Sequence, residues 1–155
     1  MSTGRLTRVL LTRRERSVVP RWPPLRRVLK KVLVDHEVQG TLTVALVEDA
    51  EIRRVHRQFL GEDTPTDVLS FLLDGEKIRG LDELLGEVVV SAETALREAR
   101  KRRLLPEREV ALYAIHGTLH LVGFDDTDAT SRRKMRREER KYLKIYDEER
   151  AEVVR

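Results

Sequence analysis

Two histidines, His116 and His120, stand four residues apart near the end of a strong helical pattern, with Gly123 three residues after the second and Asp126 three beyond that. On a helix, positions i and i+4 share one face, so both imidazoles can grip a single ion. Gly123 can take the left-handed conformation that ends a helix and turns the chain back. Asp126 can then return to the ion as a third ligand. Three nitrogen or oxygen ligands with one position left for water describe a catalytic zinc-type site, because structural zinc sites are normally closed by four. Asp125 sits beside Asp126, and either carboxylate could turn inward. The competing reading is a pair of packed, hydrogen-bonded core histidines. Only four histidines occur in the chain, and two of them fall at this spacing with a glycine turn and a carboxylate in register, which favours the metal. His36 and His56 lack spaced partners and read as structural or surface residues.

One absence narrows the chemistry. Zinc proteases with His-Glu-x-x-His keep a glutamate directly after the first histidine as general base. That position here is Gly117, which can neither take a proton nor position a water. Peptide hydrolysis is therefore disfavoured.

The elements that must position these residues follow from periodicity. Arg8 to Leu11 reads as a weak first strand, and Trp22-Pro-Pro opens a helix carrying Leu25, Val28, Leu29, Val32 and Leu33 on one side. Thr41 to Val47 alternates as a half-buried strand. Asp49 is a candidate N-cap for a second helix, closed by Gly61. A polar loop from Glu62 to Asp67 leads into the strand Val68 to Leu73, and Asp74-Gly75 signals a turn before a loop to Asp82. Gly86 to Ser91 is an apolar strand, with Ser91 capping a helix from Ala92 to about Arg103. Pro106 starts the helix that carries both histidines, apolar on most sides and so the buried central helix. A last helix, Ser131 to about Tyr146, has a thin apolar stripe of Met135, Tyr142 and Tyr146. The sum is one α+β domain over residues 1–155, with about four strands in a mixed sheet and about five helices.

A length of 155 residues suits a single domain with a real core, and 40% hydrophobic against 37% charged residues puts that core beneath a heavily charged surface. There is no cysteine, which excludes disulfides and thiolate metal sites and fits a reducing cytoplasm. No apolar run approaches a membrane span, and the basic N-terminus lacks the apolar core of a secretory signal. The net charge of +4 is unevenly spread. Basic runs occupy Arg5 to Lys31, Arg100 to Arg103, and Arg132 to Arg137. Any one run could be a solvated helix face, but three in one domain favour a polyanion partner, most simply nucleic acid. Aromatics at 5% argue against a broad base-stacking platform.

Three blocks carry a resemblance: Asp63-Thr-Pro-Thr-Asp-Val-Leu-Ser-Phe71, Gly86-Glu-Val-Val-Val-Ser91, and the histidine helix with its turn to Asp126. In order and spacing they resemble the YbeY family of bacterial ribosomal-RNA maturation endoribonucleases, over roughly Thr41 to Asp126. The resemblance implies an α+β protein with one zinc ion per chain. Its partners would be ribosomal RNA and the small ribosomal subunit, and its role processing of the 16S rRNA 3′ end, single-strand-specific RNA cleavage and ribosome quality control. A cytoplasmic protein, most simply a monomer, is expected. The chain departs from the family pattern at Asp126, where the family has a third histidine. It departs again at Leu60, where the family has an arginine tied to RNA chemistry or binding, and at Leu72, where the family often has proline.

The expected mechanism is metal-assisted phosphodiester cleavage at His116, His120 and Asp126. Asp125 is the candidate for orienting a ligand histidine or moving a proton, with a turn or cap role as its alternative. Arg57, Arg100, Lys101 and Arg102 are the candidates for holding the RNA backbone. The polar residues Asp63, Thr64, Thr66 and Asp67 divide between loop architecture and lining a cleft. Two rival functions stand beside this one. The first is a ribosome-assembly factor whose metal only staples helix to turn, and the second a metal hydrolase of another substrate.

Overall fold

The computed structural model describes residues 7–16, 18, 20–60, 66–72 and 83–154. Along it run β1 (Thr7–Arg13), α1 (Trp22–Asp35), β2 (Gln39–Val47), α2 (Asp49–Leu60), β3 (Val68–Leu72), β4 (Glu83–Ser91), α3 (Ala92–Arg102), α4 (Pro106–Leu121) and α5 (Ala129–Val154). The strands form one sheet in the order β1-β2-β4-β3. β1, β2 and β4 run parallel, and β3 pairs antiparallel with β4. This is the mixed four-stranded sheet with five helices that the sequence implies.

Side-chain alternation divides the core. Leu42, Val44 and Leu46 of β2 and Val88 and Val90 of β4 join the larger cluster, with α1, α4 and α5. Ala45, Val47 and Val89 turn the other way, onto Ile52 of α2 and Leu69 of β3. The two middle strands are thus covered on both faces, as parallel strands generally are. α4 lies at the centre, with Val110, Ala111, Ala114, Ile115 and Leu119 fully buried.

Several boundaries differ from expectation for local reasons. β4 begins at Glu83 rather than Gly86, because pairing with β2 already starts at Gln39↔Glu83. α5 starts at Ala129, two residues early, since the Asp128 carboxylate accepts from the Ser131 amide at 2.8 Å and caps the first turn. It runs on to Val154, its far half tied to α1 and α4 by Arg27–Glu149 at 2.9 Å, Arg108–Asp147 at 3.2 Å and Arg150–Glu107 at 2.8 Å. Ser91 caps α3 as expected, its oxygen accepting from the Thr94 amide at 3.1 Å. The expected closure of α2 at Gly61 and the turn at Asp74-Gly75 lie outside the described residues, as do Asp63, Thr64 and Pro65.

Asp49 does something other than cap α2. Its carboxylate accepts from the Ser91 hydroxyl, from Thr94 Oγ1 at 2.9 Å and from Arg97 at 2.6 Å, pinning α2 to the start of α3. Partial burial alone would raise the Asp49 pKa, but these hydrogen bonds and the Arg97 charge outweigh it and hold it below the ordinary value. A depressed folded pKa contributes stability that is present above the unfolded value and lost as pH falls through the folded one. Asp49→Asn is therefore expected to cost about 2 kcal/mol at pH 7. The difference from wild type in urea melts should shrink below about pH 4. A cost that is flat from pH 7 to pH 3 would show that the charge of Asp49 is immaterial.

Candidate metal centre

The position of α4 is set by the residue between the two histidine turns. A Cβ on Gly117 would lie 2.6 Å from Val88 Cγ1 and 2.7 Å from Ser70 Oγ. Ser70 also donates to the Gly117 carbonyl at 2.9 Å. The helix can approach β3 and β4 this closely only because position 117 has no side chain. The missing protease base therefore has a packing cause, and it faces the sheet rather than the site.

One residue back and one turn on, His116 and His120 emerge on the open flank. Beyond Val122, Gly123 takes φ +109°, and the Phe124 amide donates to the Leu119 carbonyl at 3.0 Å, closing the turn. Phe124 then packs edge-on against His36 at 5.3 Å between ring centroids, which anchors the turn to α1. His56 is buried on α2. Both histidines outside the pair thus have structural surroundings.

The turn brings Asp126 back over the histidines. Nε2 of His116 and Nε2 of His120 are 3.0 Å apart, and each lies 3.5 Å from Asp126 Oδ2. Three ligands 2.0–2.1 Å from one tetrahedral ion would stand about 3.4 Å apart. The triangle is thus sized for a small divalent ion, and its two imidazoles and one carboxylate suit zinc-type coordination.

The partner behind His116 is Glu139 of α5, whose Oε1 is hydrogen-bonded to His116 Nδ1. With that nitrogen donating, the Nε2 lone pair is left facing the triangle, the carboxylate–histidine arrangement that fixes a ligand's tautomer. Burial would lower the His116 pKa, but the hydrogen bond and charge of Glu139, with Asp126 and Asp67 nearby, outweigh it and raise the pKa. Protons therefore compete with any ion at this nitrogen. Sequence reasoning missed Glu139, although a signal was there. It falls four residues after Met135 and three before Tyr142, on the buried stripe of α5.

The structure gives that orienting place to Glu139 and not to Asp125. The exposed Asp125 carboxylate accepts from the amides of Asp126 and Thr127 at 2.7 and 3.1 Å and from the Thr127 hydroxyl at 2.9 Å. It shapes the turn, the alternative that the sequence left open.

His116 stands where two hollows meet. One, of about 350 Å³, is lined by Thr66, Asp67, Ser70, His116, His120 and Asp126. The other, of about 610 Å³, continues past His116 and Glu139 to Thr94, Arg97, Glu98 and Arg102 of α3. Thr66 and Asp67 thus line the cleft. Of the four basic candidates, Arg102 is among the described lining of these two hollows. Lys101 points outward and pairs with Glu98 at 3.4 Å. Arg100 lines a further hollow, with Glu15, Glu48 and Glu93, that shares Arg97 with the larger of those two. Arg57 is exposed on α2 and is not among the lining residues. Arg97, which the sequence did not single out, is. The Leu60 side chain lies outside the described residues.

A family model described as endoribonuclease YbeY matches residues 22–147, from the start of α1 into α5. The chain belongs to the YbeY family. A relative from Syntrophotalea carbinolica, named endoribonuclease YbeY, is 37% identical over 129 residues, spanning 80% of this chain and 86% of that one. Another so named, from Pelotomaculum thermopropionicum, is 41% identical over 108 residues, 68% of this chain and 71% of its own. The solution structure of TM1509 from Thermotoga maritima superposes with a TM-score of 0.61 at 27% identity, covering 94% of this chain and 93% of that one. The YbeY match includes the whole histidine–aspartate triangle and Glu139.

Glu139→Ala is expected to weaken Zn2+ binding by about 10–100-fold, as loss of an outer partner of a ligand histidine generally does. Glu139→Gln keeps an acceptor for the Nδ1 proton and should lose less. Competition with a chromophoric chelator measures both. An alanine variant with wild-type affinity would show that packing alone orients His116.

Proposed function

We propose that this chain is a zinc-dependent endoribonuclease specific for single-stranded RNA. Its role is maturation of the 16S rRNA 3′ end and ribosome quality control, acting on the small ribosomal subunit in the cytoplasm as one domain over residues 1–155. The observation that supports this best is the ion-sized triangle of His116, His120 and Asp126, opening on a cleft in a chain of an endoribonuclease family.

A zinc ion held there supplies charge stabilisation at a phosphodiester oxygen and a water of lowered pKa. The protein's own residues do the rest. His116, His120 and Asp126 hold the ion, and Glu139 keeps the His116 proton on Nδ1, away from it. Arg97 and Arg102 meet the RNA backbone at the far wall of the cleft. Asp67, on the wall between the two hollows, is placed to accept or return a proton at the attacking or leaving oxygen. Peptide hydrolysis is disfavoured, because the base position of a zinc protease is here Gly117, packed against the sheet.

The test is cleavage of a single-stranded RNA spanning the small-subunit rRNA 3′ end, compared with its duplex, by metal-quantified protein with and without a chelator. Expected are cuts in the single strand that require about one zinc per chain. Product ends identify the nucleophile, a 5′-phosphate for water and a cyclic phosphate for the ribose 2′-OH. Zinc bound at one per chain without cleavage above background would leave the ion a structural role and favour an assembly factor.

A further inference from the structure

Among the described residues, six charged side chains line the cleft: the carboxylates Asp67, Glu98, Asp126 and Glu139, and the guanidiniums Arg97 and Arg102. With both histidines neutral, this lining is two charges negative. With His116 protonated it is still one charge negative. Yet the chain as a whole carries +4. Its basic residues are concentrated elsewhere, including the exposed Arg132, Arg133, Lys134, Arg136 and Arg137 on α5. The place where a phosphodiester must enter is acid-lined in a basic protein.

The two arginines do not reverse this. Arg97 is tied to Asp49 at 2.6 Å and Arg102 to the buried Glu109 at 3.4 Å, so a further carboxylate stands behind each. These anchors hold the guanidiniums in place and leave donors over for a ligand, since each carries five. They also cancel much of the arginines' field at any distance. A phosphate approaching the metal-free protein here therefore meets net repulsion from the described lining.

We propose that occupancy of the triangle by a divalent ion gates RNA entry, in addition to whatever the ion does in cleavage. Two added positive charges bring the described lining to balance and leave Arg97 and Arg102 to orient the strand. This proposal rests on the RNA reading above. The linkage is reciprocal: an ion that strengthens RNA binding by some factor must itself be bound more tightly, by the same factor, when RNA is present. The exposed basic runs attract RNA regardless of the ion, but that attraction is weakened by salt. The gate is best seen near physiological ionic strength.

The experiment uses the full chain and a fluorescein-labelled single-stranded 2′-O-methyl RNA, its length checked after each run. Anisotropy gives the strand's Kd at 0.15 M salt, with and without one equivalent of Zn2+, and chelator competition gives the Zn2+ Kd with and without the strand. Both constants are expected to fall together, by about fivefold or more. In Asp67→Asn/Glu98→Gln, which removes two of the four carboxylate charges, binding to the metal-free protein should strengthen and the coupling factor shrink. In His120→Ala it should vanish. Equal strand affinity with and without Zn2+ in the wild type overturns the gate while leaving the RNA reading intact. Coupling that persists in His120→Ala also overturns it, because the zinc is then acting elsewhere. A strand that binds neither form overturns the RNA reading and the gate with it.

Discussion

His120→Ala is expected to reduce zinc-dependent RNA cleavage to the level of the chelated protein, a loss of about three orders of magnitude or more. Removing an outer-shell partner of a metal ligand alone costs 10–100-fold. Removing a ligand itself leaves His116 and Asp126, two corners of the triangle, which cannot enclose an ion. The fold should survive the change. The His120 side chain is 31% exposed, and its polar contacts are with His116 and Asp126. The packing side of this turn belongs to Ile115 and Leu119, both fully buried. Single-turnover cleavage by protein of known zinc content, with circular dichroism and a urea melt alongside, separates the two effects. A folded variant without bound zinc that still cleaves at the wild-type rate would remove the ion from the mechanism.

Gly117→Glu, which restores the His-Glu-x-x-His pattern, is expected to abolish folding rather than create a protease. The new Cβ alone meets Val88 Cγ1 at 2.6 Å and Ser70 Oγ at 2.7 Å, and the rest of the side chain would bury a carboxylate between α4 and the sheet. An unpaired buried charge and overpacking each belong to the most destabilising classes of substitution. Gly117→Ala is the graded version. It gains about 1 kcal/mol of helix propensity but forces the helix off the sheet, which typically costs about 1–3 kcal/mol. A net loss of about 1 kcal/mol, with weakened zinc binding because both histidines ride on the displaced turn, is the expected result. Urea melts and chelator competition measure the two parts. An alanine variant more stable than wild type would show that α4 has room to move.

Much of the site could be read from spacing because the chemistry is local. His116, His120, Gly123 and Asp126 fall within eleven residues, and one helical turn plus one glycine turn is enough to bring them together. The fold was legible for a similar reason, since the 3.6-residue stripe of α1 and the all-round apolar character of α4 state a burial pattern directly, whereas β2, which reads as half-buried, is buried on both faces from Val44 to Val47. What escaped depends on distance in sequence. Glu139 meets His116 across 23 residues, and Asp49 meets Ser91 across 42. Only the docking of α5 on α4, or of α2 on α3, makes those pairs. The basic run Arg100–Arg103 divides among different surroundings instead. Arg100, Lys101 and Arg102 radiate around α3 at about 100° per residue, so adjacent residues face different surroundings, and of these three Arg102 is in the described lining of the cleft. Arg97, isolated in sequence, lines the cleft with Thr94 three residues before it and Glu98 beside it.

The close approach at Gly117 has one more implication. This close contact between helix and sheet lies in the same turn of α4 as the two imidazoles, so conformational integrity and ion capture share a few ångströms of backbone. An ion bound only by the native state adds to that state's stability by mass action, as the logarithm of its concentration over its dissociation constant. A loaded chain would then carry a reserve against substitutions elsewhere in the molecule, whereas a starved one would sit nearer its unfolding threshold. Zinc supply, on this view, sets how much sequence drift the protein tolerates.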